Sequence, residues 1–556
     1  VPFPSPPCKL TYTNQVSFQG GDEKGTFFMS FENNRTHGIV PNDKSTRTGV
    51  RLGATRTEGK FNAAFSVAYF KADYNRTTSD FYYNVLNTAA HIPLKDLSDW
   101  QQNKFANPNG YYNDYYPNPY FTADNNRQIY GDNNIQGTME VTYKLFPWVS
   151  IYDRLGAMNN SRARKEYTGK FTYSQWAKNN AYVPAPWDWA NDYDGINLAL
   201  TDILGRVYDA STNENVVNNE FQLQFAKDFK DITNKLITGF SIYQRKTKFQ
   251  EIGSSSIVVP DIYNVGNRLG DLTGSEQNTI IRKYAYYADL TSGYKNYLYL
   301  NASFRYDASS KFYYAGRPSD LWGYTSYGAA LSFILTDAFP TITSDVLSFA
   351  KLRAGFNKNT NDNLDPHLLT NVFPNGLGFP YGSVAGLTVG DVMPDSSLKP
   401  ETIYSYEVGT ELQFFKSRVS VDFTAYLQNS NDQILTVDIS NASGSPFLRA
   451  NVADSKNWGY EAEVRVQILR NTNFKWNVSA RYSYNDNKIK ELYGNADQFQ
   501  YGTTNGGGGG YSYAGSYMIK DLRYPYLKTT AYVRDPATGM VLVDPNTGYP
   551  ILDQAT

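Results

Sequence analysis

Few residues in this 556-residue chain have the type and spacing to do chemistry. The three histidines, His37, His91 and His367, lie far apart, so no paired-histidine metal motif exists. The single cysteine, Cys8, excludes an intramolecular disulfide framework and a Cys-cluster zinc site, and reads as a buried or rim thiol. Glu461 and Glu463, two apart, share one face if the segment is a strand. Among 53 acidic residues such pairs arise by number alone, and lining a wet lumen is favoured over glycosidase work, although a glycosidase pair drawn from distant strands would be invisible in sequence. The Gly506–Gly510 run has no Lys-Ser or Lys-Thr after it, so it reads as a loop tip rather than a phosphate cradle. No catalytic set, cofactor or metal site is therefore expected. What remains is aromatic: 47 Tyr, 32 Phe and 8 Trp. They crowd into stretches such as Asn107–Tyr120 and Trp176–Trp189, among Asn, Asp and Pro. Aromatic faces beside amides and carboxylates suit sugars or peptides, which makes Trp100, Tyr111, Tyr112, Tyr115, Tyr116, Trp187 and Trp189 the expected ligand contacts. The competing expectation is that these rings pack on each other as a lid.

Composition narrows the class. Charged residues are 19%, net charge is −1 and mean hydropathy is −0.52. The charge balance removes the simplest electrostatic case for nucleic acid, and the aromatic content argues against disorder. A spanning helix needs about 20 mostly apolar residues. The long uncharged stretch Leu368–Gly390 is broken by Pro374, Pro380 and repeated glycines, and Leu321–Thr336 alternates, so neither is such a helix. The opening residues Val1–Pro7 lack the basic and apolar regions of a signal peptide.

The elements that must carry the loops have a period of two. Val408, Thr410, Leu412 and Phe414 oppose Glu407, Gly409, Glu411 and Gln413; Val419, Val421, Phe423, Ala425 and Leu427 oppose Ser420, Asp422, Thr424, Tyr426 and Gln428. The same alternation runs through Leu298–Asp307, Tyr460–Ile468 and Phe474–Ser483. It means one apolar and one wet face. These strands run for nine residues or more, long enough at about 3.3 Å per residue, when tilted, to cross an apolar band of about 25 Å. Their apolar faces tend to finish in Tyr, Phe or Trp, as an interfacial girdle requires.

About sixteen strands are expected, starting near residues 9, 25, 47, 60, 134, 148, 219, 234, 278, 294, 322, 347, 402, 418, 456 and 473. Short connections (Gly20–Gly25, Thr57–Lys60, Phe146-Pro147, Lys230–Thr233, Ser292-Gly293, Asp337–Asp345, Phe415–Ser417, Asn471-Thr472) alternate with long ones (Tyr74–Asn133, Ala157–Asn218, Phe249–Asn278, Asn357–Glu401, Asn429–Lys456). Turns at one rim and loops at the other define an antiparallel transmembrane β-barrel. A soluble sandwich has no reason to sort its loops in this way.

Several segments, in order, resemble the SusC/RagA-type TonB-dependent transporters of Bacteroidetes outer membranes. They are Phe18-Gln19-Gly20-Gly21-Asp22-Glu23-Lys24-Gly25 followed by Gly38-Ile39-Val40; Asn118-Pro119-Tyr120-Phe121 with Asn125-Asn126; and Ala350–Phe356 with Asn359–Asn363. Then come Leu398-Lys399-Pro400-Glu401 before Tyr406-Glu407-Val408-Gly409, Asn431-Asp432, Asn451-Val452 with Asn457–Glu461, Phe474-Lys475-Trp476 and Tyr484–Lys488. The resemblance covers residues from about 12 to 550. Ala453-Asp454 stands where the family has Gly after Asn-Val, and Asn431 stands where Lys is common.

The resemblance implies an all-β, 22-stranded barrel of which about sixteen strands are present, residues 1–556 being part of the barrel without plug domain, signal peptide, closing strands or separate soluble domain. The piece alone would have two open edges and would not transport. The parent would sit in the cell outer membrane, surrounded by lipid, and import an oligosaccharide or peptide without catalysis. Its partners would be a SusD-like surface lipoprotein on the long loops and the TonB–ExbB–ExbD complex, which acts through the plug; nucleic acid is not a partner. The alternative is a barrel adhesin or surface hydrolase that does not transport.

Overall fold

The structure, a computed structural model, describes residues 10–113, 116–180, 201–376, 379, 381–503, 514–529 and 531–553. Among them are sixteen long strands of 12 to 24 residues, every long pair with a recorded register being antiparallel. The chain forms two compact units. One holds Val1–Leu145, Ile151–Phe221 and Tyr243–Ile280, the other Phe146–Ser150, Gln222–Ile242 and Ile281–Thr556.

The first unit is built on β1 (Thr11–Asp22), β2 (Gly25–His37), β3 (Lys44–Glu58) and β4 (Phe61–Thr77), paired in that order and then with β5 (Asn126–Phe146). The register sorts side chains into rows. Phe27–Ala54–Phe65–Met139 and Phe31–Val50–Tyr69–Ile135 lie on one face; Phe28–Gly53–Ser66–Thr138 and Glu32–Gly49–Phe70–Asn134 lie on the other. Parts of β6 (Val149–Thr168), β7 (Arg206–Phe229), β8 (Ile232–Ser254) and β9 (Thr273–Tyr294) belong to this unit and parts to the second.

The second unit continues through β10 (Leu298–Ser309), β11 (Gly323–Ile334), β12 (Leu347–Asn361), β14 (Glu401–Phe414), β15 (Val419–Asp438), β16 (Phe447–Arg470) and β17 (Lys475–Leu492). The short β13 (Val392–Met393) pairs parallel with β16. Its apolar face carries the row Leu300–Leu331–Ala354–Val408–Ala425–Tyr460–Tyr484. The β9–β10 hairpin turns on Lys295 and Asn296, with φ of 48° and 62°, the paired left-handed geometry that suits the twist of a tight hairpin.

The apolar rows are bare. Phe27, Phe65 and Met139 are 50% or more exposed, and Ile135 is 49% exposed. Water would oppose such rows, whereas hydrocarbon accepts them, so they mark the lipid face. The buried clusters lie elsewhere, at the long-loop ends. Leu94, Leu97, Ala106 and Tyr111 form one, and Phe312, Leu364, Leu369 and Leu398 another. No helix among the described residues is long and apolar enough to cross a membrane.

Three strands begin earlier than their alternation does: β5 at Asn126, β7 at Arg206 and β16 at Phe447. The expected long loop Asn429–Lys456 is mostly strand, because β15 runs to Asp438. A strand of 24 residues far exceeds the roughly 9–11 that cross the bilayer. Beyond the apolar band both faces meet water, so the sequence there loses its alternation. A small antiparallel sheet of β18 (Gln498–Thr503), β19 (Ala514–Ile519) and β20 (Tyr526–Thr529) also had no alternating signal.

Candidate functional site

The loop after β4 is folded around Asn118. Its Nδ2 donates to the carbonyls of Leu97 and Ala106, both at 2.9 Å, and its Oδ1 accepts from Tyr120 N at 2.9 Å. The side chain is fully buried and caps the short helix Pro119–Asn125, whose first-turn Pro needs no donor. Arg127, also buried, fastens this loop to the β2–β3 connection. It pairs with Asp43 at 3.0 Å and donates to Asn75 Oδ1 and the carbonyls of Ala123 and Asn42. Every nitrogen of this desolvated guanidinium thus faces an oxygen acceptor, the condition under which burial of a charge is tolerated.

On that base the aromatics form a chain of edge-to-face contacts. Trp100 meets Phe121 at 5.0 Å, Phe121 meets Phe171 at 5.3 Å, and Phe171 meets Tyr173 at 5.1 Å. Trp100 Nε1 donates to Asp124 Oδ2 at 2.8 Å. Tyr111 is buried in the loop cluster, 4.7 Å from Tyr112, and burial pushes its hydroxyl pKa well up. Tyr112 and Tyr116 are exposed. Of the seven expected contacts, Trp100 and Tyr111 thus hold the loop together while Tyr112 and Tyr116 face outward; Tyr115, Trp187 and Trp189 lie outside the described residues, as do Cys8 and the Gly506–Gly510 run. Phe121, Phe171 and Tyr173 lie outside the aromatic-rich stretches, so composition does not single them out, although Phe121 sits in the Asn-Pro-Tyr-Phe motif.

A second aromatic pair joins the end of β6 to the β8–β9 loop. Tyr167 and Tyr263 stack at 3.6 Å and 15°. Burial, then the Asp261 carboxylate, push the Tyr263 hydroxyl up to about 12.

In the second unit, residues of separate motifs converge. Asn451 Oδ1 accepts from Lys399 N at 2.9 Å, and its Nδ2 donates to the carbonyls of Lys399 at 2.9 Å and Asp432 at 2.7 Å. Glu401 accepts from Ile434 N at 2.9 Å. Asp432 has a φ of 58°, and its N–H donates to Asp454 at 2.9 Å. Asp454, the departure from the family pattern, thus secures a bulge in β15.

The polar faces carry ion pairs between strands. Arg162 grips Asp132 at 2.7 and 2.9 Å, Arg353 grips Asp422 at 2.8 and 3.1 Å, and Glu463 faces both Arg465 and Arg481. Among the described residues no group of three or more His, Cys, Asp or Glu is placed to hold a metal.

Long antiparallel strands with a bare apolar face and an ion-paired polar face are the wall of a membrane β-barrel. The family model for the TonB dependent receptor-like β-barrel matches residues 142–553, and the chain belongs to that family. It is an outer-membrane family of receptors and transporters, and the chain is an outer-membrane protein. TonB-dependent receptor P26 of Formosa agariphila is 23% identical over 539 residues, covering 89% of this chain and 48% of the relative. TonB-dependent receptor SusC of Bacteroides thetaiotaomicron is 21% identical over 446 residues, covering 78% and 39%. The chain therefore spans less than half the length of these relatives. The RagAB peptide transporter shares the fold at a TM-score of 0.72 and 14% identity, over 98% of this chain and 56% of that one.

Proposed function

We propose that residues 1–556 are barrel wall and outer loops of a TonB-dependent importer that takes up oligosaccharides or peptides across the outer membrane. The observation that carries this reading is the family match over residues 142–553, on a chain whose polar face is lined with paired charges. The wall encloses the passage and the loops receive the ligand; no bond is made or broken. A SusD-like lipoprotein seats on the long loops, and the TonB–ExbB–ExbD complex supplies the drive through a plug domain. The kinship with SusC and the likeness to the RagAB transporter support these partners. In this reading Tyr112 and Tyr116 are the exposed ligand contacts of a loop held together by Trp100 and Tyr111, and Tyr115, Trp187 and Trp189 are proposed as further contacts.

The test is growth of the source bacterium on defined oligosaccharides and peptides, with the parent gene deleted and, separately, with tonB deleted. Import predicts the same nutrient defect in both strains. A parent deletion that abolishes surface attachment or surface hydrolysis, while nutrient uptake stays intact, would instead establish an adhesin or hydrolase.

A further inference from the structure

On the polar face of the first unit, Phe70 lies opposite Gly49 in the β3–β4 register. A Cβ on Gly49 would come within 2.9 Å of the Phe70 ring, so the ring occupies the space this glycine leaves. Arg47 and Arg51, two residues to either side of Gly49, hold their guanidinium carbons 4.7 and 5.1 Å from the ring centroid. Further along the same face Arg76 lies 5.1 Å from the centroid of Tyr130 and donates to its hydroxyl. All three arginines are exposed, and among the described residues none forms an ion pair. That sets them apart from Arg162, Arg154 and Arg127, which are all paired with carboxylates. A guanidinium held over a ring by cation–π attraction still has N–H groups to offer, and an arginine fork can bind an oxyanion with two parallel bonds.

Arg51 also borders a concavity of about 570 Å³ whose wall includes Phe28, Ser66, Gln136, Thr138 and Asn218. Among the described residues Arg51 is the one charged residue in that wall. The nearest acid in register, Glu32, stands opposite Gly49 on β2. Phe28, 40% exposed, offers an apolar platform, and the hydroxyls and amides offer partners for sugar hydroxyls. A peptide brings an ammonium group as well as a carboxylate, and among the described residues the wall of the concavity has no carboxylate to receive it.

We propose that Arg47, Arg51 and Arg76, pre-oriented by Phe70 and Tyr130, form an oxyanion-binding track for an acidic oligosaccharide, one carrying carboxylate or sulfate groups. This rests on the importer reading and specifies its substrate class. The full parent receptor, purified in detergent, is titrated with a panel of oligouronates and sulfated oligosaccharides, neutral gluco- and xylo-oligosaccharides, and glutamate-rich peptides. Acidic sugars should bind, more weakly as salt rises. R47Q/R51Q should weaken that binding about tenfold, as loss of a charge-assisted fork implies. R47K/R51K should recover part of it, since lysine keeps the charge without the fork. K71Q, on the opposite face, removes a positive charge outside the track and should change nothing, and the heat-modified gel shift of each variant verifies a folded barrel. Uronates against sulfated sugars identifies the oxyanion. Binding only of neutral sugars or only of peptides, or unchanged affinity in folded R47Q/R51Q, overturns the proposal. TonB-dependent uptake that is indifferent to R47Q/R51Q sinks this inference and leaves the importer standing; acidic-sugar binding without TonB-dependent uptake does the reverse.

Discussion

The Arg353 guanidinium reaches across the intervening strand to Asp422, passing over Gly409, and closes two bonds of 2.8 and 3.1 Å. Arg353 and Gly409 are register partners, and a Cβ on Gly409 would sit 2.6 Å from Arg353 Nε. A charge pair that skips a strand therefore depends on a residue with no side chain between its ends.

Gly409→Val should displace the guanidinium and break the fork, at a cost of about 1–3 kcal/mol from overpacking. Asp422→Asn alone should cost about 1 kcal/mol or less, because both side chains are partly exposed and screened. Urea unfolding of the refolded parent, read by gel shift, measures both. Equal effects would mean that Gly409 is not a steric gate.

Asn118→Ala removes three bonds and leaves the Leu97 and Ala106 carbonyls buried and unmet, costing about 2–3 kcal/mol. The loss should stay local. Hydrogen exchange should rise across 94–125, while β4 and β5 remain protected.

Asn451→Ala strips partners from Lys399 and Asp432 at the β15 bulge. Exchange should rise near 399 and 430–434, and unfolding should come at lower urea by about 1–2 kcal/mol. Asp454→Gly should loosen the same bulge less, since it removes a single bond.

Tyr263 holds its proton to about 12, against 10.0 for the free side chain. Between those values the folded state binds more proton than the unfolded one. Its contribution to stability is thus fully present below pH 10 and is lost as pH rises toward 12. Late tyrosinate absorbance has several contributors, buried Tyr111 among them, so the check is the difference spectrum: wild type minus Tyr263→Phe should show one group ionising near 12, and a difference band near 10 would contradict the burial.

Protease added to intact cells expressing the parent should cut within 78–118, in the long loop between β4 and β5, and spare the turn Phe415–Arg418. Cleavage confined to the short turns would reverse the sidedness.

The wall was legible in the sequence wherever a strand meets hydrocarbon on one side and water on the other, as in β14, β15 and β17. It was illegible at the outer ends of β5, β7 and β16, where residues such as Asn213, Glu214 and Asn215 meet polar surroundings on both faces. The aromatic loops were visible as composition, but the division between Tyr111, buried, and Tyr112, exposed, is set by the Leu94–Leu97 turn folding beneath one ring and not the other. Arg127 carried no local signal, since its partners Asn42, Asp43 and Asn75 come from distant parts of the chain.

The buried clusters have a thermal consequence. Apolar surface that leaves water on folding gives unfolding its heat capacity, and only the loop ends, where those clusters sit, make that exchange fully. Cooling should therefore loosen the outer caps while the lipid-facing staves hold, so a ligand-receiving rim would soften in the cold on a scaffold that does not.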